Sequence, residues 1–521
     1  MNHRYIILAA LLPAVSGAAA QADGTLQSKE KYEYADALYL WQNAQNPAGL
    51  SRDTLSSRGV SYLELSLWKG TYHRVQDGNK QHNLQFTSER YQSIGRHLYG
   101  YGRFTFDMGR TFGRAWSDVM RSHHSNPYFS GSAVEGKYDH QNFDLAAALA
   151  TLPMHGFTYG FRLDYKVGDL SRLKDPRSRS NLADYKLMPG VTYRFGAHTL
   201  GASAFYHRRK EKIPNITTVQ TDPNLKYYTF TGMENANGVT GGYSGFVREF
   251  VNHEFGGETS YAFETDGFRS LNTLSFAKGH EDTWGDMKYS PGVYRTTTYG
   301  VRSQNLILTG EQVHRIDLQV DRREGKADEF RQELVTEKNP ETGIESSRWN
   351  TLLTYNSRYT VSLTDARLHY RWSLTEKDKQ QEIAYAGGSM TYRSAEDKYN
   401  LPLSSLTVRT ADVTAEGGIS FLRGKAGRSL RMEAEAGYSA SLTADLSLAD
   451  ATTDYATHVL LPDMNYYEAS YFHAALNVQY QMPVKIKKYT NMWFVKASSQ
   501  YLKTNKQTDG HFIGLSVGVY H

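Results

Sequence analysis

His511-Phe512-Ile513-Gly514-Leu515-Ser516-Val517-Gly518-Val519-Tyr520-His521 alternates residue by residue. Ile513, Leu515, Val517 and Val519 fall on one face of an extended chain; Gly514, Ser516, Gly518 and Tyr520 fall on the other. Side chains of a strand point to opposite faces in turn, so this segment is apolar on one side and small or polar on the other. It lies where outer-membrane barrels carry their closing strand. The pattern recurs upstream in a chain without cysteine and without a long apolar run. Together these features predict an all-β fold, a transmembrane antiparallel up-and-down β-barrel preceded by a short helical segment.

The same alternation marks the other strands. Leu63, Leu65 and Leu67 oppose Tyr62, Glu64 and Ser66, and Phe104, Phe106 and Met108 oppose Arg103, Thr105, Asp107 and Gly109. Ile316, Leu318 and Val320 oppose Arg315, Asp317, Gln319 and Asp321. Leu368, Tyr370, Trp372 and Leu374 oppose Arg367, His369, Arg371 and Ser373. Ala474, Leu476, Val478 and Tyr480 oppose His473, Ala475, Asn477, Gln479 and Gln481. Charges in hydrocarbon cost several kcal/mol each, so the charged face is expected to be the lumen. A soluble sheet also alternates, but about eighteen strands exceed what one open sheet usually holds.

The bulk numbers agree with a barrel. The chain has 521 residues, 38 of them tyrosine, and a mean hydropathy of −0.59, polar enough for a soluble protein. A barrel reconciles this with membrane residence because only every second strand residue meets lipid. A membrane-spanning helix needs about 18 or more apolar residues in a row, and Tyr5–Val15 is too short. With Arg4 before it and Ala18-Ala19-Ala20 after it, that stretch reads as a signal peptide over residues 1–20. Its removal lowers the formal charge from +5 to +4, an excess too small to suggest a nucleic-acid partner. Export without cysteine leaves neither a lipid-anchored cysteine nor a disulfide.

Residues 21–56 read as an N-terminal segment and 57–521 as the barrel. Residues 21–28 are polar and expected to be disordered. Tyr34, Leu38 and Trp41 recur at helical spacing, predicting one short helix from Ser28 to Ala44 that stops at Asn46-Pro47-Ala48-Gly49. Tight turns are expected at Phe195-Gly196-Ala197-His198, Thr265-Asp266-Gly267 and Thr309-Gly310-Glu311, on the periplasmic side. Longer polar segments near 114–135, 169–183, 212–253, 280–292, 324–346, 395–404 and 447–465 belong on the extracellular side. The longest, 212–253, carries Tyr227, Tyr228 and Tyr243 and is placed in the pore or over its mouth. Nineteen candidate strands are countable, but bacterial barrels carry even numbers and the loop parity breaks between Trp349 and Ser405. About eighteen strands is therefore the expectation, with sixteen and twenty as alternatives. Trp68 and Tyr72, Tyr99 and Tyr101, Tyr466 and Tyr467, and Trp493 and Phe494 lie at strand ends and suit interfacial girdles.

The segment Leu40-Trp41-Gln42-Asn43, running into Asn46-Pro47-Ala48-Gly49-Leu50, together with Asp175-Pro176-Arg177 and Pro189-Gly190-Val191-Thr192-Tyr193, resembles Bacteroidetes outer-membrane β-barrels of a family without assigned function. Asn46-Pro47-Ala48 after a helix also resembles the entry segment of FadL-type fatty-acid channels, which are usually shorter and have fewer strands. In those channels the N-terminal segment plugs the barrel, so the resemblance implies a lumenal plug that includes Trp41, Asn46 and Pro47. The bland alternative is a helix stop. Many barrels end in an aromatic that the assembly machinery recognises; here Tyr520 is followed by His521, which either is tolerated or stands in as the terminal ring.

Little in the sequence suggests chemistry. A rim lipase needs a Ser–His pair on the lipid face, and no histidine of the 18 sits in a matching context. His280-Glu281-Asp282 with Asp286 is the best protease-like or cation-binding cluster, but neighbours on a strand diverge. His123-His124 lacks a third ligand at suitable spacing, and Gly238–Gly245 lacks the lysine of a phosphate loop. Strands from about Gly59 leave roughly forty mature residues before the barrel, too few for the plug domain of an energised import receptor.

The expectation is thus a monomeric barrel of the Gram-negative outer membrane, a porin-like channel or accessory transport protein for a small solute. No cofactor, metal or catalytic residue is expected. Arg103, Asp107, Arg315, Asp317, Asp321, Arg367 and Arg371 are expected to face the lumen, where both signs of charge give a transverse field or ion-paired packing. The competing readings are a closed structural or partner-binding barrel and, third, a rim hydrolase. Expected partners are outer-membrane lipid and lipopolysaccharide, the barrel-assembly machinery and another outer-membrane transport protein.

Overall fold

A computed structural model describes residues 26–53, 56–219, 225–240, 246–338, 340–421, 427–487 and 489–521. The signal-peptide reading of residues 1–20 lies outside the described residues, as do Tyr243 and most of residues 21–28.

Eighteen strands form a closed antiparallel barrel. In chain order they are β1 (Arg58–Gly70), β2 (Lys80–Ile94), β3 (Leu98–Arg114), β4 (Gly136–Thr151), β5 (Phe157–Arg172) and β6 (Arg177–Phe195). There follow β7 (His198–Ile213), β8 (Arg248–Glu264), β9 (Phe268–Trp284), β10 (Gly292–Thr309), β11 (Gln312–Lys338) and β12 (Glu345–Glu376). The last six are β13 (Gln381–Tyr399), β14 (Ser404–Phe421), β15 (Ser429–Ser447), β16 (Tyr471–Ile486), β17 (Tyr489–Thr504) and β18 (Asp509–Tyr520). Each pairs with its chain neighbours, and β1 pairs with β18 from Val60↔Tyr520 to Gly70↔Gly510. That last ladder closes the ring, so the barrel wall itself has no edge strand. A two-residue strand, Ile216–Thr217, is appended to β6.

The alternation of His511–His521 is seen directly in exposure. Ile513, Leu515 and Val517 are 60, 50 and 46 % exposed, whereas Ser516 between them is 2 % exposed. Val519 keeps the same register at the rim but is buried there. Directly paired residues share a face, so the outward set continues through Leu65, Leu84 and Met108 across β1, β2 and β3.

Two tight turns show why their glycines are needed. Gly196 and Gly310 adopt φ of 58° and 61°, the left-handed backbone that two-residue hairpins demand. These turns, with 265–267, lie at one end of the barrel, and the longer connections lie at the other.

Several expectations are corrected. Residues 324–338 are the projecting half of β11, which is 27 residues long and pairs with β12, 32 residues long. Near Asp328 the register shifts, with Ala327 opposite Tyr359 but Glu329 opposite Tyr355, and Ser357 sits at φ 49°. This irregularity interrupts the period of β12, so one strand reads as two, which accounts for the count of nineteen and the broken parity. The segments 169–183 and 280–292 shrink to connections of 173–176 and 285–291, the remainder being strand.

The N-terminal helix α1 spans Lys29–Leu38 rather than reaching Ala44. Tyr39 is already extended, and the Asn43 side chain donates to the Tyr39 and Asp36 carbonyls, 2.7 and 3.3 Å. Leu40 and Trp41 are then free to pack on Leu271, Leu306 and Val313 of the wall. The girdle assignment also changes. Tyr99 and Phe494 are buried, Tyr99 against Leu50 and Phe494 beside Tyr520, and Tyr72 stacks on Tyr466 at 4.4 Å between two loops. The outward belt at the tight-turn end is built instead from Phe157, Tyr159, Tyr193, Phe195 and Tyr261, all 38–50 % exposed and largely in ring contact.

Candidate functional site, a lumen occupied at both ends

Residues 26–53 touch strands around the whole circumference, which a single segment can do only from inside a closed ring. On α1, Glu30 accepts hydrogen bonds from Ser429 and Gln481, both 2.6 Å, and from Ser420, 3.0 Å. Burial raises the Glu30 carboxyl, but hydrogen bonds from Ser429, the local backbone, Ser28 and Gln481 outweigh it and hold the group below the ordinary range. Lys29 pairs with Glu433 at 3.0 Å and Glu33 with Arg431 at 2.6 Å. Arg315 donates to the Asp36 carbonyl, 2.7 Å, and Arg58 to the Asp36 carboxylate, 2.8 Å. On the far side Trp41 Nε1 donates to Glu264, 3.2 Å, and Ser51 to the Thr151 carbonyl, 2.6 Å.

The short 3-10 helix Pro47–Ser51 sits against β4, β5 and β6. Asn46 caps it, its Oδ1 accepting from Ala48 N at 3.0 Å while Nδ2 donates to the Val191 carbonyl at 3.3 Å. The wall is hollowed for this approach: Gly160 and Gly190 face each other across β5 and β6. A Cβ on Gly160 would collide with Pro47 and Ala48, and one on Gly190 with Asn46. Asp53 accepts the Gln42 amide at 2.8 Å, and burial pushes its carboxyl up to about 7.

The opposite mouth is covered by loops. The strands Lys226–Gly232, Asn235–Thr240 and Ser130–Ser132 form a small sheet. Trp116 packs on Tyr228 and Tyr455, with centroids 4.6 and 5.6 Å apart, and Phe129 stacks on Phe230 at 4.3 Å. The helix α2 (Leu461–Tyr467) supplies Asp463, which accepts the Val75 amide at 2.9 Å. His124, from the loop after β3, bonds Asp397 on β13, and Tyr128 donates to the Asp328 carbonyl on β11 at 2.8 Å. This loop therefore reaches across the mouth rather than lying beside it. Tyr227 and Tyr228, from the 212–253 insertion, are buried in the cap.

Between the two lies a charged chamber. Asp365 and Arg393, ion-paired at 2.9 Å, are 48 and 71 % exposed although their register is inward. Arg103 and Asp144 are 3.7 Å apart and similarly exposed. Inward charges with that exposure require water inside the barrel. A cavity of about 580 Å³ beneath the cap is lined by Arg393, Asp412, His473 and Tyr467. Histidines on the wall pair with carboxylates: His140 with Asp107 (3.2 Å), His207 with Asp184 (2.8 Å), His369 with Glu416 (2.8 Å) and His473 with Asp412 (3.0 Å). Such a lining offers both signs of charge to a polar solute.

The seven charged residues singled out from the sequence all sit on the strand face opposite the exposed apolar side chains. Arg315 and Asp317 pair at 2.8 Å, Asp317 also approaches His369, and Arg371 pairs with Glu382 at 2.6 Å. Asp107 meets Asn142 and His140, Asp321 accepts from Gln319 at 2.6 Å, and Arg367 is exposed toward the chamber. Trp41, Asn46 and Pro47 lie in the segment that crosses the lumen. Arg431 and Glu433, which pair with α1, and Glu382, which pairs with Arg431, were not singled out; the first two sit at inward positions of an alternating strand, whereas Glu382 is turned inward by the bulge opposite Leu374 and Thr375.

The sequence suggested no Ser–His pair, yet the fold makes one. Ser61 Oγ lies 3.0 Å from His521 Nε2, and Arg90 Nη1 lies 2.8 Å from His521 Nδ1. Arginine can only donate, so Nδ1 must accept and the ring N–H sits on Nε2, aimed at Ser61. That polarity is the reverse of nucleophile activation, and Ser61 is buried. Tyr520 turns inward to Tyr32, leaving the ring of His521 at the outward register position. His280 and Asp282 share a face at 3.2 Å while Glu281 turns away to Arg121 and Asn126. His123 and His124 bond different carboxylates, Asp77 and Asp397. Among the described residues no three metal-ligating side chains converge.

Residues 47–521 match a family described as a family of unknown function, DUF6850. No curated protein matches the chain in sequence. Solved structures similar to it include the copper transporter OprC, at 10 % identity over 90 % of this chain and 82 % of that one, TM-score 0.36. The apoprotein form of the FrpB iron transporter from Neisseria meningitidis shows 10 % identity over 91 % and 83 %, TM-score 0.39. A mutant of the ferric enterobactin receptor PfeA from Pseudomonas aeruginosa shows 10 % identity over 90 % and 81 %, TM-score 0.38.

Proposed function

The chain belongs to that family of unknown function, and we propose that it is an outer-membrane barrel that passes a small polar solute through a lumen gated by residues 26–53. Membrane residence is supported by the outward apolar belt, in which Leu65, Phe255, Leu274, Val413 and Ile513 are 57–63 % exposed. An exposed apolar surface encircling a protein is far beyond the patches that water tolerates.

One observation carries the gating reading: the lumenal segment is held mainly by hydrogen bonds and ion pairs to a wall that stays wet behind it. Polar contacts of this kind exchange with water when the segment leaves, and the apolar surface that release exposes is confined to three patches, at Leu40 and Trp41, at Leu50 and at Tyr32. On this reading Asn46-Pro47-Ala48 plays the part of the FadL-type entry segment that it resembles. The reading makes lipopolysaccharide and the barrel-assembly machinery necessary partners, and another outer-membrane transport protein a candidate source of the signal that opens the gate.

The test is single-channel recording in planar bilayers. The intact chain should be silent and a variant lacking residues 21–56 should conduct. Because the chain has no cysteine, Lys29→Cys with Glu433→Cys, bridged by a short bismaleimide, supplies a locked control that must stay silent under conditions that open the uncrosslinked protein. Silence of the deletion variant, refolded and inserted, would show that the loops over the opposite mouth close the lumen without the segment, rejecting residues 26–53 as the gate and favouring a closed partner-binding barrel.

A further inference from the structure

Above the apolar belt, the outward face of the first strands changes character in consecutive rows. The row Leu515, Leu65, Leu84 and Met108 is apolar, and its members are directly paired across β18, β1, β2 and β3. Two residues toward the long-loop rim, the row reads Ile513, Leu67, His82, Arg110, Asp139. Two residues further it reads His511, Lys69, Lys80, Phe112, Lys137. A concave groove of about 930 Å³ runs over these strands, with Leu65, Leu84, Met108 and Leu515 at its apolar end and Arg110 and Arg179 at its polar end.

The acids of this patch are already engaged. Asp139 accepts two bonds from Arg110, 2.6 and 2.9 Å, and Asp169 is held by Arg179 and by Ser171 at 2.6 Å. The lysines are not. Lys69 and Lys80 are direct cross-strand partners, a like-charge arrangement that destabilises a sheet. Lys80 and Lys137 both reach over the Phe112 ring, 5.4 and 5.7 Å from its centroid. Among the described residues none of the three lysines makes an ion pair. On another part of the outward rim Arg322 and Glu324 pair at 3.0 Å.

We propose that this groove is a docking site for a phosphorylated acyl lipid of the surrounding leaflet. The acyl chains lie on Leu65, Leu84, Met108 and Leu515, and Lys69, Lys80 and Lys137 hold the phosphates. Apolar floor and unpaired cationic rim are stacked in the order in which such a lipid presents its own chains and headgroup, and a phosphate between Lys69 and Lys80 removes their repulsion. The proposal rests on the membrane reading above, because only a bilayer presents the lipid in this orientation.

The experiment compares the full chain with the triple variant Lys69→Gln, Lys80→Gln, Lys137→Gln in phosphatidylcholine vesicles with and without lipid A. Flotation reports insertion, and mass spectrometry of the washed protein reports retained lipid A. Both proteins should float. The native chain should retain lipid A, and the triple variant should bind it more weakly by on the order of a hundredfold. Arg322→Gln, on a charge-matched part of the rim, should retain it as the native chain does. Equal retention by the triple variant overturns the proposal, as does binding of inorganic phosphate as tight as that of lipid A. Failure of both proteins to float would instead reject the membrane reading.

Discussion

Glu33 on the lumenal helix and Arg431 on β15 form an ion pair of 2.6 Å at the centre of a buried network. Arg431, 1 % exposed, also reaches Glu382 at 3.0 Å and Glu433 at 3.5 Å, and it donates to the carbonyl of Ile383 at 3.2 Å. Burying charges costs solvation, so such a network adds little net stability; removing one member strands the others. Its main effect is to specify where the helix sits.

Replacing Arg431 by Met leaves Glu33 and Glu382 facing each other with one cation fewer. Docking of α1 should weaken by about 3–5 kcal/mol, the usual cost of breaking a buried pair. Hydrogen exchange over residues 29–38 should accelerate strongly while the belt strands stay protected. Unchanged protection of the helix would show that the network does not hold it.

The glycine pair beneath Asn46 and Ala48 predicts a steric release. Ala48 is fully buried, so the thiol of Ala48→Cys should label slowly in the otherwise cysteine-free chain. Adding Gly160→Val should make it label readily, because the new side chain meets the backbone of Pro47 and Ala48. Slow labelling in both would mean that the segment has room to shift without undocking.

Docking of the N-terminal segment should also respond to pH through Asp53. Burial raises its carboxyl from 3.8 to about 7 in the docked state. The docked form therefore binds the proton more tightly than the released form, and docking weakens as pH rises through the window from about 4 to about 7. Above that window Asp53 is charged in both states and its contribution is constant. Asp53→Asn should flatten the dependence of residue 40–53 exchange on pH across this range. An identical slope in the variant would assign the effect elsewhere.

At the other mouth, Glu234 ties the small sheet to the loop after β15. Its carboxylate accepts from Ser404 Oγ at 2.5 Å and from Ala449 N at 3.2 Å, and the residue is 2 % exposed. Glu234→Ala should cost about 1–3 kcal/mol of cap stability, the penalty of leaving buried donors unpaired. Limited proteolysis of the intact protein should then cut near residues 448–455 in the variant and spare the native chain. Equal resistance would show that aromatic packing around Trp116 and Tyr455 suffices to hold the cap.

What the sequence determined by itself was the wall. Alternation is local, because each side chain's face follows from its neighbours through the two-residue period of a strand. His511–His521, Val313–Asp321 and Ala366–Leu374 therefore declared both faces without any knowledge of their partners. The same locality set the tight turns at Gly196 and Gly310. It failed where the period is interrupted, at Ser357, and where packing overrides spacing, at Trp41, which the helical repeat assigned to α1 and the wall pulled out of it.

The contents of the barrel were decided only by the tertiary structure. Arg431 and Glu433 lie on inward positions like many other charges, Glu382 is turned inward by a bulge, and nothing in their own strands says that a helix from residues 29–38 will rest on them. His124 meets Asp397 because a loop crosses the mouth, and Ser61 meets His521 because β18 closes on β1. These contacts join residues hundreds of positions apart, and their energies depend on burial and on donor direction. Neither quantity exists until the ring has closed.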